Sequence, residues 1–213
     1  MKIVVLTGAG ISQASGIPTY RDKGGIWDLY DPEVVCSIQG WKTNPKLVQE
    51  FFNLARKQMV DIQPNEAHYI LADLEKKHDV VIITQNIDDL HSKAGSTNVI
   101  QVHGNIFLDK HPDGNVFHNR GDMTGKIRPD VVFFGEQVQN FDLAKEKVEE
   151  ADVLVVIGTS LQVYPFASLL KYYSGVNYII DPNADELSVG VLSCPFNEDA
   201  ITGLKKWKEL MKF

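Results

Sequence analysis

Gln85, Asn86 and Asp88 stand in close succession directly after the β-branched run Val80-Val81-Ile82-Ile83. Such a run reads as a buried strand, so these polar side chains are delivered at a strand's end. In an open parallel sheet that end faces the ligand crevice, and carboxamides beside a carboxylate can hydrogen-bond sugar hydroxyls and a ligand's own carboxamide. His103 follows a second short run, Val99 to Val102, and precedes Gly104. Its imidazole, with an unperturbed pKa of about 6.5, suits a general base near neutral pH. The same residue types also serve as ordinary turn formers and as structural histidines. The elements around them must decide.

Lys2 to Thr7 reads as a first buried strand running into Gly8-Ala9-Gly10-Ile11-Ser12. Glycines between a strand and a helix start let the backbone approach a phosphate, and the helix's first N–H groups favour the anion. Here the third glycine of that pattern arrives late, at Gly16. The stretch from Ile17 to Trp27 reads as a loop over a ligand, with Tyr20 to cover a cofactor ring, Arg21 to meet a phosphate or carboxylate and Asp22 to orient Arg21. From these residues alone, a surface salt bridge beside a packed Trp is the safer reading. Helices are expected from Asn44 to Met59 and from Pro64 to about Lys77, and a hairpin within 105–128 turning at Pro112-Asp113-Gly114-Asn115. His111, Asp113, His118 and Asp122 there lack established ligand spacing, so no metal is assigned. A strand to Phe134-Gly135-Glu136, a helix over 141–150, a strand over 153–157 ending in Gly158-Thr159-Ser160 and an apolar helix around 164–173 follow. Tyr178-Ile179-Ile180 then ends in Asp181, whose carboxylate can accept from ribose hydroxyls, before a closing helix over 199–212. The alternation implies an α/β fold with a parallel sheet and a nucleotide at its switch point.

Composition narrows the partners. A net charge of −7 argues against sequence-independent binding to nucleic acid or anionic membrane, because no basic face is available to neutralise phosphates. The apolar run after Lys2 breaks at Thr7-Gly8, short of a signal peptide or membrane span, which points to the cytoplasm. With Cys36 and Cys194 alone, neither a disulfide framework nor a Cys-x-x-Cys zinc site is available.

Taken together, the blocks resemble one family, the sirtuins, which are NAD-dependent protein deacylases. The matching stretches are Gly8 to Ser12 with Ser15 to Asp22, Pro64-Asn65 with His68, Thr84 to Gly95, His103-Gly104, Phe134-Gly135-Glu136, and Gly158 to Leu161 with Val163 and Pro165. All occur in the family's order. The resemblance implies a Rossmann-like parallel sheet with helices on both faces (1–24, 61–104 and 129–213) and a small lobe (25–60 and 105–128), together one catalytic domain. It also implies NAD as cofactor and an acyl-lysine protein or peptide as partner, with the acyl group passing to ADP-ribose as nicotinamide leaves. A monomer is compatible with it. By the same resemblance Gly8, Ala9, Gly10, Tyr20 and Arg21 line the pyrophosphate and nicotinamide-ribose region, Gln85 and His103 contact that ribose, and Asn86, Ile87 and Asp88 shape the nicotinamide pocket. His103 is the implied base, with Asn86 and Asp88 as its catalytic companions. Gly158, Thr159, Ser160 and Asp181 take the phosphate and adenosine side. An extended peptide is expected to pair between Val132, Phe134 and Gly135 on one side and Leu161 and Val163 on the other.

The chain departs from the family at three places. Sirtuins usually hold a structural zinc on two Cys-x-x-Cys pairs after the His-Gly step, and none stands between Asn105 and Arg128, so a β-hairpin is expected to replace the zinc ribbon and to depend on packing through Phe51 and Phe52. Sirtuins that prefer acidic acyl groups carry Tyr-x-x-Arg, and the aligned positions here are Phe52 and Ala55, which leaves only Arg56 as a cation that could swing in. Asp181 stands where the family usually has Asn. Two reactions therefore stay open beside deacylation: NAD glycohydrolysis and ADP-ribosyl transfer from the same pocket.

Overall fold

The computed structural model describes residues 1–18, 30–119, 124–187 and 192–213. The expectations for Tyr20, Arg21, Asp22 and the loop to Trp27 fall outside these residues, as does that for Asp122. In chain order the strands among the described residues are β1 (Lys2–Thr7), β2 (Asp79–Thr84), β3 (Val99–Gln101), β4 (Gly104–Lys110), β5 (Val116–His118), β6 (Arg128–Val131), β7 (Val153–Ile157), β8 (Asn177–Ile180) and β9 (Ser193–Phe196). Six of them form a parallel sheet in the order β3-β2-β1-β7-β8-β9, so the direction of winding reverses beside β1. That is the arrangement of a doubly wound dinucleotide fold, whose crevice opens at the reversal.

Register makes the crevice sharp. Thr7 pairs with Thr84 of β2 and with Ile157 of β7, so three strands end level and their following loops must meet. The strands are almost wholly buried on both faces, as parallel sheets require. Ile3, Val5, Ile82 and Val155 face Leu71, Leu204 and Trp207 of the helices Glu66–Leu74 and Ala200–Met211. Val4, Leu6, Ile83 and Val156 face the helix Phe141–Glu149 and the turn of Phe166 and Leu169 on the other side. Each such aliphatic side chain contributes roughly 1.5–3 kcal/mol by leaving water, more than an exposed ion pair can.

Caps tie the helices to the loops. Asn65 accepts from the Ala67 amide at 2.9 Å while His68 Nδ1 accepts from the Asn65 amide at 3.3 Å, closing a capping box. The Asn65 Nδ2 group also donates to the Ile11 carbonyl at 2.7 Å, which anchors the segment after the first glycine loop. The Pro-Asn and His68 block is therefore scaffold.

The small lobe is a second sheet, in the order β5-β4-β6, antiparallel throughout. It packs on the helix Pro45–Met59 through Phe51, Phe52, Ala55, Ile106, Val131 and Phe133, with the Phe52 and Phe133 rings stacked at 5.9 Å. The strand expected after Arg128 belongs here, as β6 on the edge of this sheet, and Pro129, which cannot donate to a central ladder, is the physical reason. The apolar segment after Tyr164 is a 3₁₀ helix, Phe166–Tyr172, where Ser168 returns both its amide (2.9 Å) and its hydroxyl (2.6 Å) to the Pro165 carbonyl. Further elements without an expectation include β9, an edge strand carrying Pro195, and the short helices Pro32–Val35 and Ile38–Thr43, capped by Asp31 and Ser37, as well as Leu90–Lys93 and Ala184–Leu187. His111 pairs with Asp113 at 3.0 Å in the hairpin turn, and no metal-ligating group of three gathers among the described residues.

Candidate active site

The three loops that leave β1, β2 and β7 interlock. A Cβ on Gly8 would lie 2.7 Å from the Gly158 carbonyl oxygen, and one on Gly10 would lie 2.6 Å from the Gly158 Cα. Gly158 itself has φ of +59°, so these glycines are needed for loop-to-loop contact as much as for a ligand. Gly10 N–H donates to the Gly158 carbonyl at 2.9 Å and Gln85 N–H to the Thr7 carbonyl at 3.0 Å. Gly16, by contrast, closes the turn after the short helix Gly10–Gln13 with φ of +92°, away from the cleft. The late third glycine is a helix stop.

Where the loops meet lies a cleft of about 690 Å³, within the range of small-molecule sites. Gly8, Ala9, Gly10, Gln85, Asn86, Ile87, Asp88, His103, Gly158, Thr159, Ser160 and Asp181 all line it. At one end, Asn86 Nδ2 donates to the Gly8 carbonyl (3.1 Å) and to Ser12 Oγ (3.2 Å), while Ser12 Oγ donates to Asp88 Oδ2 (3.0 Å). The Leu90 amide donates to Asp88 Oδ1 at 3.0 Å. Burial pushes the Asp88 carboxyl above its usual range, and the Leu90 and Ser12 donors partly offset it. This network locks the Asn86 amide with its nitrogen toward the protein and its oxygen as the remaining acceptor. Ser12 joins the site without having been expected there; its place two residues after Gly10 is the one sequence signal for it.

His103 Nδ1 lies 3.1 Å from the Gln85 carbonyl. A carbonyl only accepts, so Nδ1 carries the proton and Nε2 holds the lone pair. Burial lowers the His103 pKa, with the Gln85 hydrogen bond opposing, so the ring is neutral at pH 7. Gln85 Nε2 donates to Thr159 Oγ1 at 2.7 Å, joining the loop that supports His103 to the second glycine loop.

Across the cleft, Arg128 grips Glu136 with two 2.7 Å hydrogen bonds and lies 4.0 Å from the Phe133 ring centre, and Glu136 accepts from the Phe133 amide at 2.9 Å. This shapes the turn that offers Val132, Phe134 and Gly135, all in the cleft wall with Val163 opposite. Phe134 is 57% exposed, and its amide donates to the Cys36 carbonyl at 2.7 Å. Leu161 does not reach the cleft; with φ of +52° it turns onto the core beside the sheet. Cys36 and Met59 join the wall from the small lobe, a long-range contribution with no local sequence signal. Burial pushes the Cys36 thiol up to about 12, which makes it an apolar wall and not a nucleophile.

The residues fit a dinucleotide. Among the described residues, no protein acceptor takes the amides of Ala9, Thr159 or Ser160, all of which border the cleft, so a cradle of backbone donors awaits an anion between the two glycine loops. The fold and this site define an α/β protein built to hold a dinucleotide, with a half-buried imidazole near one end. The comparisons give the family: the Sir2 family model matches residues 8–111 and 108–165, and the chain belongs to the Sir2 family. It is 41% identical over 215 residues to a protein of Helicobacter pylori strain J99 named NAD-dependent protein deacylase, covering 95% of this chain and 92% of the other. A solved Sir2 homologue–NAD complex superposes with a TM-score of 0.86 at 34% identity, over 99% of this chain and 89% of that one. A Sir2 complex with a deacetylated p53 peptide and 3′-O-acetyl ADP ribose matches with a TM-score of 0.81 at 31% identity, over 98% and 92%.

Proposed function

We propose that this chain is an NAD-dependent protein lysine deacylase acting on acetyl-lysine, and that the acyl group leaves on ADP-ribose. The observation that carries this reading is a neutral His103 with its lone pair at Nε2, held by Gln85 beside an Asn86–Ser12–Asp88 network in a cleft lined by glycine loops. When bound, NAD supplies a sugar carbon that loses nicotinamide and a ribose that accepts the acyl group. Ala9, Thr159 and Ser160 offer backbone N–H groups to its pyrophosphate, and Asp181 accepts from ribose hydroxyls. Asn86 Oδ1 and Asp88 would shape the pocket for the carboxamide end. His103 takes a sugar hydroxyl's proton at Nε2, its Nδ1 proton resting on the Gln85 carbonyl. Ile17, Cys36, Met59 and Phe133 keep water from this end of the cleft.

A neutral acyl group is favoured because, among the described residues, no Lys or Arg lines the cleft. Phe52 and Ala55 are buried in the small-lobe core, and Arg56, the remaining candidate, is tied into that lobe by hydrogen bonds on both sides of its guanidinium. The peptide lies between the Val132–Gly135 turn and Val163, using main-chain groups. The reading assigns the enzyme to the cytoplasm; among the described residues no helix is long and apolar enough to cross a membrane. Incubation of the protein with NAD and an acetyl-lysine peptide is expected to release nicotinamide and free lysine peptide in equal amounts, and His103→Ala to cut that rate by about a hundredfold or more. Deacetylation that proceeds without NAD, or undiminished in His103→Ala, overturns it.

A further inference from the structure

The polar anchors of the helix Pro45–Met59 lie under the small lobe. Gln49 and Arg56 are seven residues apart, hence on one face two turns apart, and are 3% and 8% exposed. Gln49 donates to the Ile127 carbonyl and accepts from the Gly125 amide at 3.1 Å, fixing the chain that returns to β6. Arg56 holds the other end. The pairing of β4 with β6 jumps from Asn105↔Asp130 to Asp109↔Pro129, so residues 106–108 bulge out of the ladder. Their carbonyls need donors once buried. Arg56 Nε donates to the Ile106 carbonyl and Nη2 to that of Leu108 (3.2 Å), and the Asn119 amide takes Phe107 (3.0 Å). The guanidinium also meets Asp109 at 2.6 Å and Asn53 at 2.8 Å, and Asp109 accepts from Asn119 Nδ2 at 2.6 Å across the hairpin. A planar fork can do this; an ammonium cannot serve those directions at once.

The bulge has one further tie. The Ile106 amide donates to the Ile87 carbonyl at 2.8 Å, and Ile87 stands between Asn86 and Asp88 in the cleft wall. We propose that Arg56 is a positioning residue for the nicotinamide end of the cleft: by fixing the bulge at 106–108 it holds Ile87, and so Asn86 and Asp88, in place. The proposal rests on the NAD reading above, but it adds a residue that touches no ligand and lies in the small lobe. The phosphate and adenosine end, built from the Gly8–Gly10 and Gly158–Ser160 loops, has no hydrogen bond to this bulge.

The test is equilibrium binding of NAD and of ADP-ribose, which lacks nicotinamide, by calorimetry on the full chain and on R56K. The lysine retains a charge facing Asp109 but not the fork that bridges the bulge carbonyls. Weakening of NAD by about tenfold with ADP-ribose unchanged within about twofold is the expected result. Equal losses for both ligands, or no loss, in a folded R56K overturns the proposal. D109N, which loosens the same guanidinium from its other side, is expected to shift the ratio in the same direction by a smaller factor, and serves should R56K not fold; an unchanged ratio there also overturns it. Binding of neither ligand by the unsubstituted chain overturns the NAD reading and the proposal with it.

Discussion

His103 illustrates what a single side chain can and cannot announce. Its place after a short strand and before Gly104 marks it in the sequence, but its tautomer becomes visible only when the Gln85 carbonyl is found 3.1 Å from Nδ1. Burial lowers its pKa from 6.5, with the hydrogen bond opposing, so the imidazole stays unprotonated to a pH below 6.5. The acid limb of a kcat/KM profile against pH is therefore expected to inflect below 6.5, and an inflection above that value contradicts the neutral assignment. Asn86, Asp88 and Gln85 were legible for the same reason as His103: they stand at strand ends. The bond from Ser12 to Asp88 and that from Ile106 to Ile87 are not legible, because a partner 76 or 19 residues away leaves no mark in local sequence; only the place of Ser12 after Gly10 hints at its part.

At the scale of elements, the long helices and the buried strands were readable from caps and period, since Asn44-Pro45, Asn65 and Asp199 stand where the structure starts each helix. Edge strands were harder. β6 and β9 are short and carry proline; the sequence signals a strand at β6 but not its sheet, and it does not signal β9 at all. The helix Glu66–Leu74 carries a testable consequence of its cap. His68 is fully buried, and burial lowers its pKa from 6.5 to about 4. The unfolded chain therefore takes up this proton first on acidification, so stability is lost as pH falls from 6.5 toward 4 and levels off below, with a slope of up to about 1.4 kcal/mol per pH unit. His91, lowered to about 3 by burial and by His68 beside it, acts in the same sense, whereas Asp88, raised by burial, opposes. Chemical denaturation at several pH values should show a shallower slope between 6.5 and 4 for His68→Gln, whose amide oxygen can still accept from Asn65. An identical slope contradicts the buried neutral assignment.

For the whole molecule, the design is a parallel sheet that fixes two glycine loops and a polar loop at one level, plus a smaller antiparallel lobe that walls one side of the cleft. The sheet's part was readable, because consecutive β-branched runs and glycine ends are local signals. The lobe's part was readable only as a hairpin; that it also supplies Cys36 and Met59 to the cleft wall and a buried Arg56 to its support follows from packing between distant segments. The central claim is that the acyl group, and not water, receives the ribosyl centre that nicotinamide leaves. Mass spectrometry of NAD incubated with the protein, with and without an acetyl-lysine peptide, tests it most directly. The account predicts O-acetyl-ADP-ribose that forms only with the peptide and in step with nicotinamide; free ADP-ribose formed equally without the peptide would contradict it and make the protein a glycohydrolase.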